Sequence, residues 1–176
     1  MNGRYLDTVR LLLDVAPEVF ASGGFAMKGG TAINFFHDNM PRLSVDIDVV
    51  FTNHLLSREE AIEGISSRLK EVQERLGRKA ILAEFRPLPS GEEIKLFLKR
   101  GDAMVKVEVN QVFRGTVLPV VQSRLAEEAR SLFTQDLQLP TLDRSELFMA
   151  ANSLPPWIAS IPGISSMWPS YTNKEA

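Results

Sequence analysis

Hydrophobic and polar residues along the chain change their spacing several times, and each spacing predicts a secondary-structure element. Apolar residues recur every three to four positions in Tyr5–Ala16, which predicts an amphipathic helix that ends at Pro17. The same spacing in Ser57–Leu76 predicts a longer helix whose apolar stripe packs into the core. Ser57 and Glu60 have the spacing of a capping box, so this helix is expected to begin just after Ser57.

Short apolar or alternating stretches between the helices predict β-strands, because alternate residues of a strand project from opposite faces. The predicted strands are Phe25–Lys28, Ser44–Phe51, Ala80–Arg86, Ile94–Lys99 and Met104–Val112. Arg100-Gly101-Asp102 predicts a tight hairpin turn between the last two strands.

Three further helices complete the pattern. They are predicted at Thr31–His37, at Val121–Leu132 and from Asp143 onward, with the Thr31 hydroxyl as a cap for the first. Strands that alternate with helices and then follow one another predict an α/β (α+β) fold, in which a mixed sheet is flanked by helices.

Two aspartates interrupt the apolar strand Ser44–Phe51. Asp46 and Asp48 lie two positions apart, so they are expected on the same face of the strand. Neighbouring carboxylates in apolar surroundings repel each other and lose hydration, which favours a compensating cation such as Mg²⁺. The alternative is a pair of solvated residues at a strand end or in a helix cap.

Glu108 is the third candidate ligand. It lies in the middle of the predicted strand Met104–Val112, between valines that face the other side. If this strand lies beside Ser44–Phe51, Glu108 shares a face with Asp46 and Asp48. The alternative is an exposed strand position that forms a salt bridge with Lys106.

The Gly29-Gly30 turn lies between a predicted strand and a predicted helix. Two glycines at such a junction let backbone N–H groups approach a phosphate, although many such pairs are ordinary turns. Lys28, Arg42 and Ser44 flank the turn and the aspartates, where they would contact phosphate or be solvated. With these residues, the three carboxylates would hold two Mg²⁺ ions about 4 Å apart, and the turn would hold the β- and γ-phosphates of a nucleoside triphosphate.

Composition restricts the class of protein. The chain has 176 residues, of which 44% are hydrophobic, so one domain with a sizeable core is expected. The net charge of −2 gives no bulk signal for nucleic acid or membrane, although a local basic patch would not show in it. Cysteine is absent, which excludes disulfides and thiolate metal sites. Without a signal peptide or a spanning segment, a cytoplasmic protein with no membrane partner is expected.

The combined motif resembles the AbiEii/AbiGii toxin family of nucleotidyltransferases, a branch of the DNA polymerase β-like fold. The matching residues are Lys28, Gly29, Gly30, Thr31, Arg42, Ser44, Asp46, Asp48, Lys106 and Glu108. The resemblance implies nucleotide binding by the first six of these. It implies metal binding and catalysis by Asp46, Asp48 and Glu108.

The same resemblance implies a function and partners. A toxin of a toxin–antitoxin or phage-defence system is expected, with Mg²⁺ as cofactor, a nucleoside triphosphate as substrate and a cognate antitoxin as partner. Some family members modify the acceptor ends of tRNAs, so the resemblance makes tRNA or another RNA a candidate acceptor.

The resemblance stops near residue 148. Residues 149–176 hold four of the ten prolines and both tryptophans, and only Lys174 and Glu175 among them are charged. We therefore expect a nucleotidyltransferase core at 1–148 and an aberrant, disordered tail at 149–176. The helical C-terminal part of the family is expected to be largely missing.

Read in a second frame, the codons allowed by the tail can encode the family's missing segment. When each codon starts at the third base of the one before, Met149–Ala150 must give Gly, Trp157–Ile158 must give Asp, and Met167–Trp168 must give Val. Allowed codons elsewhere give GSKLVAAMDRQHPRDLFDV, which is the family's continuation. The hypothesis is a frameshift near Phe148.

Three other functions compete with an active toxin. A catalytically inactive remnant would bind only nucleotide or antitoxin. A small-molecule nucleotidyltransferase, such as one that modifies an antibiotic, would use the same carboxylates. A plain α/β binding protein would not need Asp46 for any activity.

Overall fold

The computed structural model describes residues 3–37, 45–87, 93–110 and 114–152. The α-helices are α1 (Gly3–Phe20), α2 (Gly29–Ala32), α3 (Arg58–Gly77), α4 (Glu127–Phe133) and α5 (Arg144–Asn152), and a π-helical turn, Ile33–His37, follows α2. The strands are β1 (Phe25–Lys28), β2 (Asp46–Phe51), β3 (Leu82–Pro87), β4 (Glu93–Arg100), β5 (Ala103–Asn110), β6 (Val121–Arg124) and β7 (Gln138–Thr141).

These strands form a mixed sheet in the order β3-β4-β5-β2-β1-β7-β6. Strand β2 is central: it runs parallel to β5 and antiparallel to β1. The β3–β4, β4–β5 and β6–β7 pairs are antiparallel, and β1 runs parallel to β7. The predicted mixed sheet flanked by helices is therefore confirmed.

Helices α1 and α3 pack against each other, α1 against β5 and the central strands and α3 against β3. The valines of β5 show the effect of this packing, because Val105, Val107 and Val109 are at most 1% exposed. On the other face of the same strand, Met104 is 48% exposed. The sheet thus has one face in the core and one more open face, and the acidic residues of β2 and β5 lie on the open face.

The capping box at the start of α3 is confirmed. The Ser57 hydroxyl accepts a hydrogen bond from the backbone N–H of Glu60 at 3.2 Å, and the Glu60 carboxylate accepts one from the Ser57 N–H at 2.8 Å. These two bonds satisfy backbone donors that lack partners within the helix.

The predicted helix Val121–Leu132 is wrong in its first part. Residues Val121–Arg124 form strand β6, and the helix begins only at Glu127. Strand β6 pairs with β7, which was not predicted as a strand, and Val121 lies opposite Thr141. Pairing with β7 therefore outweighed the helical spacing of apolar residues in Val121–Arg124.

Two predicted helix boundaries are also wrong. Helix α1 continues through Pro17 to Phe20, because Val19 and Phe20 are buried in the core and hold the last turn in place. Thr31 does not cap a helix, since α2 already begins at Gly29 and Thr31 lies inside it.

The C-terminal part of the chain is described only as far as the end of α5 at Asn152, four residues beyond the predicted core boundary. Residues 153–176 lie outside the described part, so the predicted aberrant tail stays a prediction. Within the described ranges, no helix is long and apolar enough to cross a membrane.

Candidate active site

A row of charged residues crosses four neighbouring strands on the open face of the sheet. Asp48 of β2 lies directly beside Glu108 of β5 on one side and beside Lys28 of β1 on the other. Lys95 of β4 lies on the far side of Glu108. Residues paired across neighbouring strands project from the same face about 5 Å apart. Two carboxylates therefore lie side by side in the centre of the row, with a lysine at each end.

Asp46 lies on the same face, two residues before Asp48, and pairs with Lys106 of β5. The ammonium of Lys106 joins the two strands: its Nζ lies 3.1 Å from Asp46 Oδ2 and 2.9 Å from Glu108 Oε1. Lys95 Nζ lies 2.7 Å from the same Glu108 oxygen. The structure therefore brings the three predicted carboxylates together, and it also forms the Lys106–Glu108 salt bridge that was the alternative for Glu108.

The carboxylates differ in their acidity. Burial raises the pKa of Asp48 to about 6, and the nearby Glu108 and Asp46 carboxylates add to the rise, while Lys28 and Lys106 oppose it. Burial also disfavours the charged form of Glu108, but its contacts with Lys95 and Lys106 outweigh burial and lower its pKa. At neutral pH both groups are charged, although Asp48 has no ion-pair partner within 4 Å in the described part of the chain.

The Gly29 backbone lies against Asp48. Gly29 has φ +74°, and a Cβ added there would lie 2.5 Å from Asp48 Oδ2. Both the positive φ and the lack of space require glycine at this position. The turn after β1 is thus shaped by close contact with the central carboxylate of the row.

Thr31 ties the same turn to the other aspartate. It is fully buried, and its hydroxyl donates a short hydrogen bond to the backbone carbonyl of Asp46. Gly29 and Thr31 therefore hold the start of α2 against both acidic positions of β2.

The donor chemistry of the three acids fits a hard divalent cation, since carboxylate oxygens are its preferred ligands. Glu108 Oε1 is buried, and the ammonium groups of Lys95 and Lys106 lie within 3 Å of it. The charge of this oxygen is therefore compensated by lysine in the structure. As the side chains stand, however, no group of three or more His, Asp or Glu residues in the described ranges is arranged to hold a metal ion.

A separate cleft of about 460 Å³ lies near the start of β1, and its lining in the described ranges includes none of the predicted site residues. Phe20, Phe25, Thr52 and Pro140 are among its lining residues, and no charged residue of the described ranges lines it. Its chemistry does not match that of the acidic row.

A protein-family model matches the chain. The model for the nucleotidyl transferase AbiEii toxin of type IV toxin–antitoxin systems matches residues 10–150, which is most of the chain. The chain belongs to the AbiEii nucleotidyl transferase toxin family. The family predicted from the sequence motifs is confirmed.

The chain also resembles a solved structure in its fold. The chain is similar to MenT4, a nucleotidyltransferase toxin from Mycobacterium tuberculosis H37Rv, with a TM-score of 0.52 and 16% identity. The match covers 82% of this chain and 51% of MenT4, so the chain spans about half the length of that toxin. At this identity the likeness shows the fold alone. A search of curated proteins found no match to the chain.

The predicted site residues of this AbiEii chain do not all lie in the described ranges. Lys28, Gly29 and Thr31 surround the aspartates as described above, and Gly30 follows them in the first turn of α2. Arg42 and Ser44 lie outside the described residues, so their predicted contacts with phosphate stay predictions.

Sequence reasoning missed Lys95 and underrated Lys106. Both ammonium groups contact Glu108, and Lys106 also contacts Asp46. The alternation of β4 contained the signal for Lys95, because counting back from the hairpin turn at Gly101-Asp102 places Lys95 opposite Glu108.

Proposed function

We propose that this AbiEii chain is a metal-dependent nucleotidyltransferase, the toxin component of a toxin–antitoxin system, which transfers a nucleotide from a nucleoside triphosphate to an acceptor hydroxyl. The observation that supports this most is the shared face of Asp46, Asp48 and Glu108 on neighbouring strands. The family description, which names a nucleotidyl transferase toxin of type IV systems, supports the reaction class and an antitoxin partner.

Asp46, Asp48 and Glu108 are the proposed metal-binding and catalytic residues. They would hold Mg²⁺, which when bound lowers the pKa of an attacking hydroxyl and offsets charge on the leaving group. The cost of bringing three carboxylates together supports this role, because Asp48 in particular is charged at neutral pH against the effect of burial.

The proposed nucleotide side of the site is the turn after β1. Lys28 lies beside Asp48 in the row, and Gly29 brings the backbone into contact with the same carboxylate. A triphosphate there would have the Lys28 ammonium near its charge and the backbone of Gly29 and Gly30 at close range. Thr31 is buried, so we propose that it positions the turn, since it has no exposed surface with which to contact phosphate.

In the proposed reaction, the acceptor hydroxyl oxygen forms a bond to the α-phosphorus of the nucleotide. The bond between that phosphorus and the oxygen bridging to the β-phosphorus breaks, and pyrophosphate leaves. The proton of the acceptor hydroxyl passes to a carboxylate of the site. Positioning and charge compensation by the protein are expected to supply most of the rate enhancement.

RNA, with tRNA as one form, is the proposed acceptor. Beside the acidic row, the open face of the sheet presents Phe97, whose ring lies 4.6 Å from the guanidinium of Arg86. Phe97 pairs with Lys106, and Lys106 pairs with Asp46, so Phe97 lies one strand from Glu108 and two strands from Asp46. Single-stranded bases stack on aromatic rings and on Arg guanidinium planes, so the Arg86–Phe97 pair offers such a surface.

The test is transfer of label from α-labelled nucleoside triphosphates to total RNA in Mg²⁺. Wild type is expected to label RNA, and Asp46→Asn is expected to lose labelling. Asp102→Asn, in the exposed hairpin turn, is the matched control and is expected to retain it. Nucleotide binding without any transfer would favour the inactive remnant, and transfer to an aminoglycoside but not to RNA would favour the small-molecule enzyme. Labelling that survives Asp46→Asn would contradict the proposed site.

A further inference from the structure

The ammonium group of Lys106 lies between the carboxylates of Asp46 and Glu108. Its ammonium contacts Asp46 on β2 and Glu108 on its own strand, at 3.1 and 2.9 Å. Asp46 is its partner in register, and Glu108 lies two residues further along the same face. One cation therefore links carboxylates that belong to different strands.

Glu108 does not depend on Lys106 for charge compensation. Lys95 approaches the same carboxylate oxygen from β4 at 2.7 Å. Lys106 thus adds a second ammonium to an oxygen that already has one, and in doing so it reaches across to Asp46. One of these two lysines would be enough to form an ion pair with Glu108.

The position of the ammonium is incompatible with metal coordination by the same oxygens. An oxygen bound to Mg²⁺ lies about 2.0–2.1 Å from the ion. Asp46 Oδ2 and Glu108 Oε1 instead flank Lys106 Nζ at distances typical of an ion pair. A metal ion that used these two oxygens would have to replace the ammonium between them.

We infer that Lys106 is a positioning residue that holds Asp46 and Glu108 together in the metal-free protein and competes with divalent cations for their oxygens. This rests on the proposed function, in which the same carboxylates bind metal. The lysine compensates the acids before metal binds, and its displacement lowers the affinity of the site for the ion. The charge of Lys106 would thus set the concentration of divalent cation at which the site fills.

The test is a titration of the full chain with Mn²⁺ alone, in which electron paramagnetic resonance measures the free ion. Lys106→Met removes the charge but keeps an unbranched apolar stem, and it is expected to bind Mn²⁺ about tenfold more tightly than wild type. Lys99→Met is the matched control, because Lys99 lies on the same face and pairs with Met104, with no acid opposite it in the described strands. Its affinity is expected to equal that of wild type.

Thermal unfolding gives a second readout that does not depend on activity. In chelator, Lys106→Met is expected to melt below wild type, because two carboxylates lose their shared cation. In saturating Mn²⁺ the difference is expected to vanish or reverse. If Lys106→Met does not fold, the same two measurements on Lys106→Gln decide the matter.

The outcomes distinguish failure of the inference about Lys106 from failure of the proposed metal site. Unchanged or weaker Mn²⁺ binding by the Lys106 variants, with normal binding by wild type, overturns the inference and leaves the proposed metal site intact. Mn²⁺ binding by wild type that Asp46→Asn does not reduce, or no binding by wild type, overturns the metal site itself.

Discussion

The backbone of Gly29 lies in direct contact with the carboxylate of Asp48, so closely that a Cβ at position 29 would lie 2.5 Å from Asp48 Oδ2. Asp48 lies in β2, and Gly29 directly follows the antiparallel strand β1. Lys28, the last residue of β1, pairs with Asp48. The shape of the turn and the position of the central carboxylate are therefore one structural feature.

Gly29→Ala is predicted to lose both stability and nucleotide transfer. Alanine at φ +74° is strained by about 1–2 kcal/mol, and its methyl group would also displace Asp48. Gly23→Ala isolates the first effect, because Gly23 has φ +68° and no atom of the described residues lies within 4 Å of an added Cβ. Urea denaturation and the labelling assay measure the two variants. Equal losses of stability, with transfer retained in both, would show that the contact with Asp48 is unimportant.

Asp48→Asn is predicted to stabilise the metal-free protein at neutral pH. The pKa of Asp48 rises from 3.8 to about 6 on folding, so its contribution to stability is complete below pH 4 and is lost as pH rises through 6. Above that range the charged form costs on the order of 3 kcal/mol, which the neutral amide avoids. Urea denaturation in chelator between pH 4 and 8 measures the difference.

The control for this prediction is Asp102→Asn, in the exposed hairpin turn. At pH 7 its stability is expected to lie within about 0.5 kcal/mol of that of wild type. If Asp48→Asn is less stable than wild type at pH 7, or if the difference does not grow with pH, the carboxylate is not destabilised by its surroundings. A stabilising loss of a charged group is typical of sites kept for function.

Much of the acidic site could be predicted from the sequence because it depends on local periodicity. Two-residue spacing puts Asp46 and Asp48 on one face, and alternation puts Glu108 on the face opposite its valines. Which strands are neighbours is not local information. The parallel pairing of Asp48 with Glu108 joins segments 60 positions apart in the chain, so periodicity alone left it open.

The missed elements share a physical cause. Strands β6 and β7 are four residues each, too short for alternation to distinguish them from a helix or a loop. Their pairing with each other, and that of β7 with β1, fixes them. Lys95 was missed for a different reason, because its contact with Glu108 depends on the register of the β4–β5 hairpin. The Gly101-Asp102 turn determines that register, and the apolar pattern of β4 alone does not.

Ser57→Ala is predicted to destabilise the chain by about 1 kcal/mol without affecting nucleotide transfer. The substitution removes the oxygen that accepts from the Glu60 N–H. The backbone and side-chain hydrogen bonds to Ser57 lower the pKa of Glu60, so the effect of the cap is complete above pH 4.5 and declines as pH falls through the folded-state pKa. Ser67→Ala, at an exposed position inside α3, is the control and is expected to be neutral or slightly stabilising.

The coding sequence of the tail is predicted to continue the family in a second frame. The dipeptides Met149–Ala150, Trp157–Ile158 and Met167–Trp168 force three residues of that reading, which are Gly, Asp and Val. The remaining positions depend on codon choice, which protein sequence does not record and the gene does. Nucleotide sequencing should give codons that read GSKLVAAMDRQHPRDLFDV from the third base of codon 149. Codons that encode an unrelated segment in that frame would refute the frameshift hypothesis.

If the codons agree, a version of the gene restored to that frame should encode the family's C-terminal part. The difference in nucleotide transfer between its product and the present chain would then measure the effect of the tail on activity.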